Sequence, residues 1–154
     1  MPIKIHEWMQ EHHKTLALAE SCTGGLMASQ ITALPGASTY FLGSLVTYSN
    51  HLKEVILGVS SATLQQEGSV SPKAVLEMWQ GLMQKTGADY GIAVSGIAGP
   101  SGGSEQKPVG TICYALGSKN STPEVDTFHL EGDRQAIIFL TAQRLFARLW
   151  KHLQ

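Results

Sequence analysis

A three-layer α/β/α sandwich on a mixed, mostly parallel sheet is the fold this sequence predicts. Three observations carry that prediction. Strand-length apolar runs alternate with amphipathic helical stretches over the first part of the chain, as parallel strands with helical crossovers require. Two strand candidates then follow one another before a last helix, so the sheet must mix directions. The 154 residues suffice for one domain, 1–154, which buries enough surface to need no disulfide or metal staple.

The elements follow in order. Ile5, Trp8, Met9 and His12 recur at helical spacing and predict an amphipathic opening helix over 3–13. TLALA (15–19) reads as a short strand, after which ESCTGG turns into the helix LMASQITAL, stopped before Pro35. The β-branched and aromatic run 39–49 predicts a strand. Asn50 then reads as the N-cap of a short helix that Gly58 ends, and Ser60 opens another reaching about Glu67. Ser71-Pro72 is a helix start, with Val75, Trp79, Leu82 and Met83 as its apolar stripe and Gly87 as its stop. DYGIAVS (89–95) has the apolar character of a central strand. Strands over 109–116 and 124–130 come next, and Asp133 caps a long final helix with the stripe Ile138, Ala142, Leu145, Leu149.

Composition narrows the function. Eleven basic and twelve acidic residues give a net charge of −1, without the basic excess of a nucleic-acid or membrane-surface binder. Cys22 and Cys113 alone form neither a disulfide framework nor a zinc site, and no metal or cofactor is expected. No apolar run reaches membrane-spanning length, and MPIKIHEWMQEHH lacks the apolar core of a secretory signal, so a cytoplasmic location is the expectation.

Chemistry concentrates in two loops of one design: an apolar strand, then a polar glycine-rich turn. They are AESCTGG (19–25) and VSGIAGPSGG (94–103), and in an open α/β sheet both fall at the carboxyl ends of strands, where ligands bind. The first feeds a helix, so backbone N–H groups near Thr23, Gly24 and Gly25 are free to hold a phosphate or an oxyanion. The second has four glycines in eight residues and lets backbone approach a ligand closely; the alternative is that both are merely tight turns. Neither is a P-loop or a dinucleotide fingerprint. Ser21 and Cys22 are the candidate nucleophiles, against the plainer readings of a helix-capping hydroxyl and a small buried filler. Four of the six histidines lie on the terminal helices, which leaves His51 and His129 and makes a Ser-His-Asp triad poor. A lysine base is the alternative: Lys53 sits in the first turn of a helix, where the macrodipole and burial both lower a lysine pKa, unless it is simply exposed. Arg134 stands at a helix start, unfavourable for a cation, so either a ligand anion or a salt bridge offsets it. Lys107, beside Pro108-Val109-Gly110, is a phosphate contact or a surface lysine.

Taken together and in this order, AESCTGG, VTYSN with Lys53, VSGIAGPSGGSEQKPVGT and EGDR resemble the nicotinamide-nucleotide amidase family, also known as the CinA C-terminal domain (PncC-like). The likeness runs from about Thr15 to the end, and the length is similar to the stand-alone single-domain form. The resemblance implies a three-layer fold and homo-oligomers. It implies metal-free hydrolysis of the carboxamide of nicotinamide mononucleotide (NMN) to nicotinate mononucleotide and ammonia. Carried over, Ser21 would be the nucleophile and Lys53 its base, with Tyr48 assisting. Ser95 would contact the site, Gly96, Gly99 and Gly102 would shape the nucleotide loop, and Arg134 would hold the phosphate.

Two positions depart from the family pattern. Leu42-Gly43-Ser44 stand where an arginine or acid usually lies beside glycine, and Ile138 replaces a common arginine. Those changes favour a second reading, a non-catalytic nucleotide-binding or regulatory module. A third is an amidase for another ring carboxamide or small amide.

Overall fold

The computed structural model describes residues 1–154. Its elements are α1 (Pro2–Glu11), β1 (Leu16–Glu20), α2 (Leu26–Thr32), β2 (Phe41–Val46), α3 (Asn50–Leu57) and α4 (Ser61–Gln66). They continue with α5 (Pro72–Thr86), β3 (Tyr90–Gly96), β4 (Thr111–Ser118), β5 (Glu124–His129) and α6 (Arg134–Leu153). The five strands form one sheet in the order β2-β1-β3-β4-β5. β1 pairs in parallel with β2 and β3, while β4 runs antiparallel to both β3 and β5. Four of the five strands thus point one way, and the mixed, mostly parallel sheet is as the sequence predicts.

Every residue of β1 is buried because helices cover both faces of the sheet. On one face α1, α2 and α6 pack Ile5, Met9, Met27, Ile31, Ile137 and Leu145 against Leu16, Leu18 and Ile92. On the other, α3, α4 and α5 pack Leu57, Leu64, Val75, Met78 and Leu82 against Ala17, Ala19 and Ala93. Burying one such aliphatic side chain contributes about 1.5–3 kcal/mol. The small alanines on that face let α5 lie close to the sheet, and Gly81 lets α5 meet α3, since a Cβ there would strike the Leu57 carbonyl.

Most helix boundaries are set by the expected caps. The hydroxyls of Ser60 and Ser71 and the carboxylate of Asp133 accept N–H bonds from Thr63, Ala74 and Ala136, and Gly58 and Gly87 take left-handed C-caps. Three expectations are corrected. Ser49, not Asn50, caps α3, because its hydroxyl accepts from Leu52 N. The run 39–49 yields a strand only over Phe41–Val46, since Ala37–Thr39 form a 3-10 turn and the chain leaves the sheet at Thr47. At the start of the α6 stripe the buried residue is Ile137, with Ile138 only half-buried beside it, while Ala142, Leu145 and Leu149 are buried as expected.

The topology places a crevice. From β1 the chain crosses one face to reach β2 on one side, while β3 lies on the other side and continues toward β4. The loops leaving the carboxyl ends of β1 and β3 therefore diverge, which is where open α/β sheets bind ligands.

Candidate active site

A cavity of about 390 Å³ opens at that crevice. Ser21 and Cys22 from the β1 turn, Tyr48 and Lys53 from the β2–α3 corner, Ser95 and Gly96 at the end of β3, and Gly99 and Gly102 after it line the cavity, with Lys107 and Arg134. Gly68, Ser69 and Val70, between α4 and α5, close another side. No carboxylate lines the cavity, whereas three basic side chains do, those of Lys53, Lys107 and Arg134.

Ser21 follows directly on β1, and its N–H donates to the Val94 carbonyl on β3. Lys53 sits one turn into α3 with its side chain directed inward, and is 1% exposed. Its Nζ lies 2.9 Å from Ser21 Oγ, 2.9 Å from the Thr47 carbonyl and 3.1 Å from the Tyr48 carbonyl. No carboxylate forms an ion pair with it. Burial without a counter-ion disfavours the ammonium and holds the Lys53 pKa below the ordinary lysine range. The two carbonyls can only accept. A neutral amine has two N–H groups, which they take, and its lone pair is left facing the Ser21 hydroxyl. Such an amine can take the hydroxyl proton.

Cys22 is buried next to Ser21, and burial pushes its thiol pKa up to about 12. It stays protonated at neutral pH, which separates the two candidate nucleophiles, because the thiolate is the reactive form of cysteine.

The helix start differs from the expectation. Glu20 is fully buried and its carboxylate takes the N–H groups of Gly25, Met27 and Ala28 at 3.0–3.1 Å, together with the Thr23 hydroxyl at 2.7 Å. The Gly24 N–H goes to the Ser21 carbonyl. Thr23, Gly24 and Gly25 accordingly do not line the cavity, and the α2 amides of Gly25 onward are not open to a ligand. The N–H groups of Cys22 and Thr23 donate to no oxygen of the chain. An acidic residue just ahead of a helix start is a signal that could have revealed this arrangement.

The loop after β3 behaves oppositely. Ile97 N–H donates to the Thr111 carbonyl, but the N–H groups of Ala98, Gly99, Ser101 and Gly102 find no acceptor in the chain. Two of these residues, Ala98 and Gly99, are buried, and a buried N–H without a partner calls for one.

Arg134, the first residue of α6, forms no salt bridge. It donates to the Gly99 carbonyl at 2.7 Å and to the Tyr48 hydroxyl at 3.0 Å, which holds it over the cavity mouth. Tyr48 is 60% exposed, and its hydroxyl is turned to Arg134 rather than to Lys53. Lys107 Nζ donates to the Glu67 carbonyl and ties the glycine loop to the 67–70 segment. His51 and His129 are exposed and lie away from the cavity.

Neither departure from the family pattern lines the cavity. Ser44 donates to Glu20 Oε1 at 2.9 Å, and Ile138 packs against the core.

Sheet, helix layers and cavity define a three-layer α/β domain with its site at the carboxyl edge of the parallel strands. Residues 1–153 match the CinA C-terminal domain, and the chain belongs to that family. It is 49% identical over 133 residues to a CinA-like protein of Fervidobacterium nodosum, a match covering 86% of this chain and 32% of that protein. It is 41% identical over its whole length to a putative competence-damage inducible protein of Halothermothrix orenii, covering 37% of it. The chain thus spans about a third of the length of these relatives. Among solved structures, competence/damage inducible protein CihA from Agrobacterium tumefaciens superposes with a TM-score of 0.95 at 33% identity, covering 99% of this chain and 93% of that one. Competence damage-inducible protein A (ComA) from Klebsiella pneumoniae gives 0.94 at 31%, covering 99% and 94%. No helix is long and apolar enough to cross a membrane.

Proposed function

We propose that this chain hydrolyses the carboxamide of NMN, releasing ammonia and nicotinate mononucleotide through an acyl–Ser21 intermediate. The observation that carries the reading is the 2.9 Å approach of the Lys53 amine to the Ser21 hydroxyl, in a site where burial favours the neutral amine. Lys53 takes the Ser21 proton as Oγ attacks the carboxamide carbon. The N–H of Cys22, which no oxygen of the chain engages, lies next to Ser21 and serves the developing oxyanion; one such donor is worth about 3–4 kcal/mol. The Lys53 ammonium returns its proton to the leaving nitrogen, the C–N bond breaks, and ammonia departs. Water then attacks the ester, again with Lys53 as base, and frees the acid and Ser21.

The rest of the cavity suits the nucleotide. A lining with two cations, Lys107 and Arg134, and no carboxylate favours an anionic ligand. Arg134 meets the phosphate at the mouth, and the open N–H groups of Ala98, Gly99, Ser101 and Gly102 border its path. Tyr48 contributes its carbonyl to Lys53 and its hydroxyl to Arg134, so its assistance is in placing both.

The test is ammonia release from NMN. The wild-type chain should release it, and Ser21→Ala should abolish release while calorimetry still detects NMN binding. Binding without release by the wild-type chain would instead favour the non-catalytic module.

A further inference from the structure

We infer that Glu20 is a positioning residue that sets the distance between Ser21 and Lys53, acting through Ser44 and Thr47. The inference rests on the Ser21–Lys53 reading above and extends it to residues outside the cavity.

The observations are independent of that chemistry. Glu20 is 0% exposed at the end of a central strand, where a solvated acid would not be found. Its two carboxylate oxygens take five donors. Four of these come from the turn and helix that follow Ser21: the Thr23 hydroxyl and the N–H groups of Gly25, Met27 and Ala28. The fifth is the Ser44 hydroxyl, 24 residues away on the edge strand β2.

The same residue holds β2 a second time. Its backbone carbonyl accepts from Thr47 N–H at 2.9 Å, and Glu20 faces Val46 in the parallel ladder. One and two residues beyond that ladder, the carbonyls of Thr47 and Tyr48 grip Lys53 Nζ. The hydroxyl half of the pair is thus indexed to Glu20 through the turn, and the amine half through β2. β2 has no neighbour on its outer side, so nothing else in the sheet fixes the carbonyl pair from that direction. Ser44 is thereby a member of the positioning network, where family resemblance alone made it a missing charge.

A residue acting by position should change the rate step and leave substrate affinity alone. The mild test exchanges Ser44→Val and Ser44→Thr, side chains of one shape with and without the hydroxyl. Two readouts are taken: kcat and KM for NMN, and the titration of Lys53 followed by NMR in protein labelled at the lysine Cε, with Lys53→Met identifying the signal. Ser44→Val is expected to lower kcat about tenfold at unchanged KM, as displacement of a catalytic pair does, and to move the Lys53 titration. Ser44→Thr should restore both. Glu20→Gln, if it folds, should show the same pattern with a larger loss. Wild-type titration and kcat in Ser44→Val, with only a lower Tm, would overturn the inference and leave the amidase reading standing. A moved titration, restored by threonine, in a chain whose wild type releases no ammonia would uphold the positioning role and overturn the amidase reading.

Discussion

The two turns that leave β1 and β3 look alike in sequence and do opposite things. AESCTGG and VSGIAGPSGG both end an apolar strand in small polar residues and glycines. In the first, Glu20 gathers the helix-start amides, and only the groups nearest Ser21 stay open. In the second, the Ile97 N–H goes to the Thr111 carbonyl, but the amides of four cavity-lining residues find no acceptor in the chain and stay open. One turn is a closed mount for a side chain; the other is an open cradle. What distinguishes them is a single buried carboxylate, since a helix N-terminus already holding an anion has little left to offer another.

The largest expected effect falls on what the closed mount carries. Lys53→Met should lower turnover at least about 10²-fold. In the wild type, turnover should rise with pH as Lys53 loses its proton, with a midpoint below the ordinary lysine range because burial disfavours the ammonium. The variant should lose that rise, and a surviving one would detach the closed turn from the chemistry.

Next comes the anion side of the open cradle. Arg134→Gln should raise KM for NMN roughly tenfold or more, as loss of a charge-assisted contact does. A matching substrate without phosphate should show little change. Equal losses on both substrates would move the phosphate elsewhere.

A matched pair of glycine variants compares the turns directly. Gly24 and Gly99 both have positive φ, +58° and +79°, so alanine brings a similar backbone strain of about 1–2 kcal/mol at either position. A Cβ at Gly24 meets nothing within 4 Å, whereas one at Gly99 comes 2.4 Å from Val109 Cγ1. Gly99→Ala should therefore raise KM several-fold by displacing the cradle, while Gly24→Ala should lower Tm slightly with kinetic constants intact. The reverse pattern would exchange the roles assigned to the two turns.

The smallest effect contrasts the site with the amino ends of β1 and β3, at the opposite end of the parallel strands. There Asp89 accepts from the Thr15 N–H and hydroxyl and pairs with Lys119 at 2.8 Å. Burial works to raise its pKa, but Lys119 and Thr15 outweigh it and hold the carboxyl below its usual value. A lowered carboxylate pKa stabilises the fold above the unfolded value of about 3.9 and loses that contribution as pH falls through the folded pKa. Asp89→Asn should flatten the acid limb of urea stability without altering turnover. A change in the pH–rate profile instead would link this end to the site.

Much of this was legible in the sequence, and the rest was hidden for physical reasons. Caps such as Ser71, Asp133 and Gly87 act within a few residues, so local spacing discloses them. The strand candidates and Ser21, Lys53, Ser95, Gly99 and Arg134 also stand near where sequence reasoning put them, at one cavity. Hidden were contacts that only the sheet order creates. Glu20 meets Ser44 because β1 and β2 are neighbours, and Lys107 meets the carbonyl of Glu67 across 40 residues. Gly68, Ser69 and Val70 have no chemical signature of their own and enter the cavity through the placement of α4 and α5. The helix-start amides were misassigned because a free N-terminus is the default reading, and a glutamate on a strand end reads as solvated until the strand proves central.

The most direct test is chemical capture of the intermediate. Wild-type protein is mixed with NMN, quenched in acid within one turnover, digested and analysed by mass spectrometry. The account predicts the acyl mass on the peptide containing Ser21, fragmenting to Ser21 itself, and its absence in Ser21→Ala. Ammonia release by Ser21→Ala at the wild-type rate, or the acyl mass on Cys22, would contradict it.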